Sequence, residues 1–228
     1  SKIKNKKNTF LLESIEGGKK WAQYSIIGLD CKDSIKVSDN KIEIKTALGT
    51  NLIECKEPLN ELNKLIAEYK TPILDGMPRF YGGYVGFFAY ESAKYAENKI
   101  NALQRKDSKF DEHMPDIYLV KSEKIIVYDN FNNSIQAIYN ANPQKTSYED
   151  ALAIIDEIQN SIDHSGELEE TSYSNTTGEL EFKSNFTKNE YMSSVNKIKE
   201  YIKEGDVMQV VLAQDFYKSF DGDSFELY

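Results

Sequence analysis

The chain has 228 residues, of which 28 are basic and 37 are acidic, giving a net charge of −9. This acidic balance argues against unassisted binding to nucleic acid or to an anionic membrane, because both are negatively charged and bind to clusters of Lys and Arg. Apolar residues make up 40% of the chain, so we expect a soluble globular protein of one large domain, or one domain plus part of another.

The two cysteines, Cys31 and Cys55, predict reduced thiols in a cytoplasmic protein, because a chain of this length can build a core without disulfides. No apolar run approaches the ~20 residues that a membrane-spanning helix needs, and we find no signal peptide. A short charged stretch leads almost at once into the sequence FLLES, which begins at Phe10. We therefore expect residues to be missing ahead of Ser1 and after Tyr228.

The first predicted elements are strands. Phe10–Leu12 and Tyr24–Leu29 are short apolar runs bounded by turn residues. Ser34–Val37 and Lys41–Lys45 alternate apolar and polar residues, and an Asp-Asn pair separates them. Because Asp and Asn tolerate the positive φ of a tight turn, this pattern predicts a hairpin.

The middle of the chain mixes helices with strands. Leucines at helical spacing after Pro58 predict a helix that runs to about Tyr69. The aromatic, glycine-rich segment Phe80–Tyr90 predicts a buried strand whose glycines lie where another backbone or a helix packs closely. A short helix is expected over Ser92–Ile100.

A second hairpin and two helices follow. Ile117–Tyr128 and Ile135–Tyr139 flank the turn sequence DNFNN and predict paired strands. Ser147 is a suitable N-cap for a helix whose apolar residues recur at helical spacing as far as Ile162. A capping box, formed by Thr187 and Glu190, predicts the start of the last helix.

The last helix is expected to end at Gly205, which can take the left-handed conformation. Val207–Ala213 follows as a predicted strand, apolar on both faces except for Gln209, so both of its faces should be covered. Together these elements predict an α+β fold with mostly antiparallel sheets and flanking helices. We divide the chain into an N-terminal domain (1–165), an acidic and polar linker (166–186) and the incomplete start of a second domain (187–228).

Few residues could carry chemistry on sequence grounds alone. Gln209 stands out, since burying an unpartnered amide costs roughly 1–3 kcal/mol. Spacing alone favours a core amide bonded to backbone or water, and the alternative is a side chain directed into a cavity to hold a polar ligand. Glu13 and Ser14 fit a turn that closes on its own backbone, or, alternatively, a pair that binds the ammonium and carboxylate of an amino acid.

Other signals point to structure. Gly82, Gly83 and Gly86 have the spacing GGxxG with aromatic flanks, which does not match a phosphate-binding loop. His113 and His164 are isolated in polar surroundings and are expected at the surface. The sequence offers no Ser-His-Asp set and no cluster of metal ligands.

Three segments, taken in order, carry a resemblance: FLLESIEGGKKWAQYSIIG (10–28), YGGYVGFFAYE (81–91) and residues 185–216. They are similar to the large subunit of anthranilate synthase, a chorismate-using enzyme. The resemblance covers essentially the whole chain and corresponds to that family's N-terminal domain plus the first helix and strand of its chorismate-binding domain.

The resemblance implies a reaction in which ammonia adds to chorismate and pyruvate is then eliminated to give anthranilate, with bound Mg²⁺. A glutamine amidotransferase subunit (component II) is the implied partner and ammonia source. The family's metal-binding carboxylates and catalytic histidine belong to a later part of the domain, so the resemblance implies that this fragment is inactive.

Two candidate sites follow from the resemblance. LLES contributes to the tryptophan feedback pocket of the family, which implies Leu12, Glu13 and Ser14 as tryptophan-binding residues. A basic residue common in the family just before the next strand is replaced here by Gln23, and Lys19 or Lys20 is a possible substitute. Gln209 becomes a candidate active-site residue, because water-using relatives have a lysine at the matching place, which can act as a base.

Alternatives remain open at this point. Aminodeoxychorismate synthase component I of the folate pathway also uses ammonia and also has a glutamine in this strand, although the LLESIEGG sequence favours anthranilate synthase. A non-catalytic regulatory module that binds an amino acid is a second alternative, and an unrelated α+β binding domain is a third.

Overall fold

The computed structural model describes residues 8–13, 23–97, 99, 114–163, 182–219 and 228. The chain divides into two compact units, Ser1–Glu169 and Glu170–Tyr228. Most of the predicted linker lies outside the described residues, so its boundaries stay a prediction. In the described ranges, no helix has both the length and the apolar composition needed to cross a lipid bilayer.

Nine strands, two α-helices and one 3-10 helix are described in the first unit. The strands are β1 (Phe10–Leu12), β2 (Tyr24–Leu29), β3 (Ser34–Ser38), β4 (Lys41–Thr46), β5 (Gly49–Glu54), β6 (Gly83–Phe88), β7 (Ile117–Ser122), β8 (Lys124–Asp129) and β9 (Ser134–Tyr139). The helices are α1 (Pro58–Ala67), the 3-10 helix (Tyr90–Tyr95) and α2 (Tyr148–Asp163).

These strands form two sheets in which every pair is antiparallel. The first sheet has the order β1-β2-β8-β9, and the second has the order β5-β4-β3-β7-β6. The predicted α+β class with mostly antiparallel sheets is confirmed. The strand β5 was not expected from the sequence, although it continues the β3–β4 hairpin as the outer strand of the second sheet.

The chain crosses between the two sheets at two places. Residues 30–33 lead from β2 in the first sheet to β3 in the second, and Glu123 alone separates β7 from β8. The single predicted strand Ile117–Tyr128 is therefore wrong: it is two strands that belong to different sheets. Lys121 N–H donates to the Asp33 carbonyl (2.9 Å) and so ties the two crossings together.

The first predicted hairpin is confirmed, the second is confirmed only for the part of its first strand that forms β8, and both turns have the expected chemistry. Asp39 and Asn40, between β3 and β4, have φ of 47° and 62°. These angles suit the tight turn that two central residues with positive φ make. In the β8–β9 turn, Asn133 has φ of 49°, again in the left-handed region that Asn tolerates.

The core of the second sheet lies between its inner face and α1. Its buried residues are Ile35, Val37, Ile42, Leu62, Ile117 and Leu119. Only Leu62 comes from the helix, while the others alternate along β3, β4 and β7. The predicted helix after Pro58 is confirmed, with this proline in its first turn.

The first sheet is covered on both faces. On one face, Leu29 and Ile126 pack against Ile158 of α2. On the other face, Ile26, Ile125, Val127 and Ile138 pack against side chains that include Phe80 and Tyr81. This arrangement explains why β8 is apolar at successive positions: each of its faces has a covering layer.

The glycine-rich segment is not the buried strand that the sequence predicts. Its regular part, β6, lies at the edge of the second sheet, and its residues are half-buried or exposed. The expectation of a close backbone approach holds at Gly86, where a Cβ would lie 1.8 Å from the Tyr118 carbonyl oxygen. The first part of the short helix expected over Ser92–Ile100 is a 3-10 helix, Tyr90–Tyr95, and residues 98 and 100 of that prediction lie outside the described residues.

A buried lysine links this 3-10 helix to its surroundings. Lys94 is 8% exposed, and its Nζ lies 2.9 Å from Asp116 Oδ2 and 3.7 Å from Asp39 Oδ1. The Tyr95 hydroxyl also donates to Asp116; burial, together with that carboxylate, raises the pKa of Tyr95. A buried charge needs such partners, so the cluster holds the β3–β4 turn against the start of β7.

In the second unit, α3 (Lys188–Glu204) is flanked by β10 (Lys183–Ser184) and β11 (Phe216–Tyr217), which pair antiparallel. The predicted capping box is confirmed: Glu190 N–H donates to Thr187 Oγ1, and Thr187 N–H donates to the Glu190 carboxylate. These bonds lower the pKa of Glu190. Gly205 ends the helix with φ of 82°, as expected.

The strand predicted over Val207–Ala213 is wrong. These residues have no regular secondary structure, and the two-residue strand β11 forms further along. Met208 and Val211 are 97% and 84% exposed. An apolar segment forms a two-faced buried strand only where neighbouring layers cover it, and the described residues provide no such cover for this segment.

We expect Ile117→Ala to lower the free energy of unfolding by about 2–5 kcal/mol, because it opens a cavity at a fully buried position where β7 meets α1. Urea denaturation followed by circular dichroism measures the change. The matched control is Ile73→Ala at a site that is 93% exposed, where the effect should stay within about 0.5 kcal/mol. Equal losses in both variants would contradict this assignment of the core.

Candidate functional site

The candidate amino-acid site lies where β1 ends in the first unit. Leu12 is the last residue of β1 and is paired with Ile26 of β2. Its side chain is 44% exposed, and Glu13, which follows it, is also exposed. Ser14 lies outside the described residues, as do Lys19 and Lys20. The structure therefore leaves an apolar side chain and a carboxylate, at consecutive positions, exposed at the end of β1.

The other end of β1 is fixed by packing. Phe10 is paired with Gly28, and its ring lies directly over that glycine: a Cβ at Gly28 would come within 2.0 Å of Phe10 Cε1. Any side chain at position 28 would displace the ring. This contact adds to the three residue pairs that join β1 to β2. It fixes the register of β1 and therefore the positions of Leu12 and Glu13.

Gln23, which replaces the basic residue expected from the resemblance, has a structural partner. Its Nε2 donates to Asp129 Oδ2 (3.2 Å), and its carbonyl accepts from Asn130 N–H (2.7 Å). Gln23 directly precedes β2, and Asp129 is the last residue of β8. The glutamine therefore joins the start of β2 to the β8–β9 turn.

Asp129 is the centre of this network. Its Oδ1 accepts from the backbone N–H groups of Phe131 (2.9 Å) and Asn132 (3.0 Å), and its Oδ2 accepts from Asn132 Nδ2 (2.9 Å). Hydrogen bonds from Asn132 and Phe131, with that of Gln23, lower the pKa of the Asp129 carboxyl, because they stabilise its charged form. A side chain that is almost completely covered is thus kept ionised.

The glycines of the YGGYVGFF segment serve backbone geometry. Gly82 and Gly83 have φ of 157° and 121°, and a Cβ at Gly82 would lie 2.4 Å from Asn140 Nδ2. That amide donates to the Tyr81 carbonyl (2.6 Å). The segment is held against the residue that follows β9, which agrees with the interpretation that these glycines do not form a phosphate loop.

Gln209 lies in the second unit, in the irregular segment between α3 and β11, and it is exposed. It is not the buried core amide that spacing alone favours. The neighbouring amide Gln214 is engaged: its Nε2 donates to Ser184 Oγ (2.9 Å). Asn185 and Asp215 also bond to each other across β10 and β11. These contacts hold the two ends of the unit together and leave the Gln209 amide accessible.

Comparison with known proteins decides the family. A sequence profile described as chorismate binding enzyme matches residues 7–228, almost the entire chain. The chain belongs to the chorismate binding enzymes.

Relatives within this family have a common name. Proteins named anthranilate synthase component 1 from Pseudomonas aeruginosa and Aquifex aeolicus are 34% and 35% identical to the chain, over 100% and 96% of its length. The alignments cover 46% and 44% of those relatives. This member of the chorismate binding enzymes therefore spans about half the length of the relatives it matches.

The fold agrees with the family. The crystal structure of anthranilate synthase component I from Streptococcus pneumoniae TIGR4 superposes with a TM-score of 0.61 at 21% identity. The superposition covers 88% of this chain and 41% of that chain. The predicted fold, similar to the N-terminal part of anthranilate synthase, is confirmed.

The resemblance to anthranilate synthase implies bound Mg²⁺. Within the described ranges, no group of three or more His, Cys, Asp and Glu side chains could hold a metal ion. We therefore assign no step of a reaction to a metal bound by these residues.

The sequence did not single out the network around Asp129. The signal for it was nevertheless present, because Asp and Asn, the residue types that cap turns with their side-chain oxygens, make up four of the five residues of the predicted turn DNFNN. Its partner Gln23 was noted only as a departure from the family. A bond between residues that lie 106 positions apart has no local signature.

Asp129→Asn is expected to destabilise the protein at neutral pH, because the charged carboxylate accepts these bonds more strongly than an amide does. The pKa of Asp129 is lowered in the folded state. Its contribution is therefore present above the unfolded-state pKa of about 3.9, and it is lost as pH falls through the lower folded-state pKa. Urea denaturation between neutral and acidic pH should show the variant and wild-type curves converging.

The control for this prediction is Asp75→Asn, which removes the same charge in an exposed turn. Its free energy of unfolding should follow that of the wild type at every pH. A gap between Asp129→Asn and the wild type that stayed constant down to the most acidic pH would refute the role given to the carboxylate.

Proposed function

We propose that this chain is the N-terminal part of an anthranilate synthase large subunit, which makes anthranilate and pyruvate from chorismate and ammonia in tryptophan biosynthesis. The observation that supports this proposal is the alignment of the whole chain with relatives named anthranilate synthase component 1. Since the chain spans about half of their length, the activity belongs to a longer protein, and we propose that this polypeptide alone is inactive.

In this proposal, Gln209 faces the chorismate pocket once the rest of the domain surrounds it. A neutral amide can donate and accept hydrogen bonds without adding charge. A lysine with a lowered pKa can act as a base towards water, whereas ammonia needs no such activation. Gln209 would therefore favour amination over hydroxylation. Its exposure on an irregular segment leaves the side chain available for that role.

Leu12, Glu13 and Ser14 are proposed to bind tryptophan as a feedback inhibitor. A carboxylate and an exposed apolar side chain at consecutive positions offer the two kinds of group that a ligand with an ammonium group and a large ring needs. Gln23 is engaged with Asp129, so the carboxylate of the ligand needs a cation from elsewhere. We propose that the pocket is completed by residues beyond this chain, and that tryptophan binds weakly to the isolated chain.

Mg²⁺ and a glutamine amidotransferase subunit (component II) complete the proposed enzyme. Neither is assigned to a residue of this chain. The relatives' name, component 1, supports a second component, and ammonia released from glutamine is the chemistry that it would supply. A cytoplasmic location is proposed together with this biosynthetic role.

Aminodeoxychorismate synthase component I, of the folate pathway, is the second candidate, because it also aminates chorismate. The groups that decide whether pyruvate is eliminated lie outside this chain. A regulatory module that only binds an amino acid is the alternative from another class. Isothermal titration of the chain with tryptophan distinguishes it: tight binding by the isolated polypeptide would favour the module.

The test of the proposed reaction is an assay of a protein that joins this chain to the second half of a relative. Supplied with chorismate, ammonium and Mg²⁺, it should produce anthranilate, detected by its fluorescence, and the chain alone should produce none. Accumulation of 4-amino-4-deoxychorismate would overturn the tryptophan-pathway assignment. Turnover by the chain alone would overturn the proposed inactivity.

Gln209→Lys in that longer protein should shift the product from anthranilate towards the water-derived isochorismate, by at least several fold in product ratio. Chromatographic separation of the two products measures it. Met208→Lys places the same charge one residue away on an exposed side chain and serves as the control, with an unchanged ratio. If Gln209→Lys keeps the wild-type preference for ammonia, its role in specificity is excluded.

A further inference from the structure

The start of β2, beside the proposed tryptophan site, is paired on one side only. The residue pairs between β1 and β2 end at Leu12 and Ile26, and Glu13 follows Leu12 directly. β2 begins two residues before that last pair, and within the described ranges its first residues, Tyr24 and Ser25, have no partner on the β1 side. On its other side, β2 pairs with β8 along its whole length. The position of this part of β2 therefore depends on β8 and on the turn that follows β8.

Three hydrogen bonds join this start of β2 to the β8–β9 turn. Gln23 Nε2 donates to Asp129 Oδ2 (3.2 Å), and Asn130 N–H donates to the Gln23 carbonyl (2.7 Å). Asn130 Nδ2 also donates to Ser25 Oγ (3.3 Å). Because residues 13–23 connect β1 to β2, Gln23 fixes one end of the connection that Glu13 begins.

The Asp129 carboxylate is a firm attachment point for Gln23. It is 8% exposed, and it also accepts from the backbone N–H groups of Phe131 and Asn132 and from Asn132 Nδ2. It cannot turn towards another partner without breaking several of these bonds, which is costly for a covered charge. The start of β2 therefore takes its position from a side chain that is itself fixed.

We propose that Gln23 and Asp129 are positioning residues of the tryptophan site: their bond holds the start of β2 beside Glu13 and thereby sets how strongly tryptophan inhibits the enzyme. This inference rests on the proposed function and adds a means of tuning its regulation. Without the bond, the start of β2 and its connection to Glu13 gain conformational freedom. A ligand then has to restore their order when it binds, which weakens inhibition.

The test uses the longer protein in which this chain is joined to the second half of a relative. Anthranilate production is measured with increasing tryptophan, and inhibition is expressed relative to the rate of each variant without tryptophan. Gln23→Ala removes one hydrogen bond and leaves the other bonds of Asp129 in place. It should raise the tryptophan concentration for half inhibition by about two- to tenfold, as expected for one hydrogen bond. Gln23→Glu, which brings two carboxylates together, should raise it further.

An exchange of donor and acceptor separates positioning from a general loss of stability. In the double variant Gln23→Glu, Asp129→Asn, the new amide can donate to the new carboxylate, so the bond is restored in the opposite direction. The double variant should be more sensitive to tryptophan than Gln23→Glu alone. The control is Ile117→Val, which loosens the core of the second sheet and should leave tryptophan sensitivity unchanged.

Recovery in the double variant, with no change in Ile117→Val, supports the proposal. Wild-type tryptophan sensitivity in both Gln23→Ala and Gln23→Glu overturns it, as does a double variant no more sensitive than Gln23→Glu. An equal loss in Ile117→Val also overturns it, because the effect would then follow stability alone.

Failure of the proposed function gives different results. If the unsubstituted protein makes anthranilate but tryptophan does not inhibit it, the proposed feedback site is wrong, and this inference fails with it. If the protein makes no anthranilate, the proposed reaction is wrong. Tryptophan affinity, measured by calorimetry on the same variants, then decides the positioning role by the same criteria.

Discussion

The first unit depends on one constraint: the consecutive strands β7 and β8, in an almost continuous extended run of the chain, belong to different sheets. Glu123 is the only residue between β7 and β8, yet β7 pairs with β3 and β6 while β8 pairs with β2 and β9. The earlier crossing, at residues 30–33, runs beside it, and the bond from Lys121 N–H to the Asp33 carbonyl joins them. Since both crossings are short, neither sheet can shift its register without moving the other.

That constraint places the candidate amino-acid site. β1 is only three residues long and belongs to the fold through its pairing with β2, whose far side pairs with β8. The ring of Phe10 on Gly28 fixes β1 at one end. At the opposite end of β2, Gln23 bonds to Asp129. Leu12 and Glu13 are thus held indirectly, through contacts made by residues that would not themselves touch a ligand.

The second unit has a different balance of local and distant interactions. The helix α3 carries its own start and stop signals in the capping box and Gly205, and the rings of Phe186 and Tyr191 meet across its first turn with centroids 6.0 Å apart. None of its residues is fully buried. Local bonds are sufficient to define where this helix begins and ends, but in the part of the chain that the structure describes no layer covers the apolar segment after it, so it does not form a strand.

By itself, the sequence determined whatever depends on residues close together in the chain. The two hairpin turns, the proline and serine at the starts of α1 and α2, the limits of α3 and the family all follow from short motifs. Only the tertiary structure decided that Ile117–Tyr128 divides between two sheets, that β6 lies at an edge, and that Gln23 and Asp129 meet. The physical reason is that periodicity reports which side chains seek burial, whereas the layer that buries them comes from residues far away in the chain.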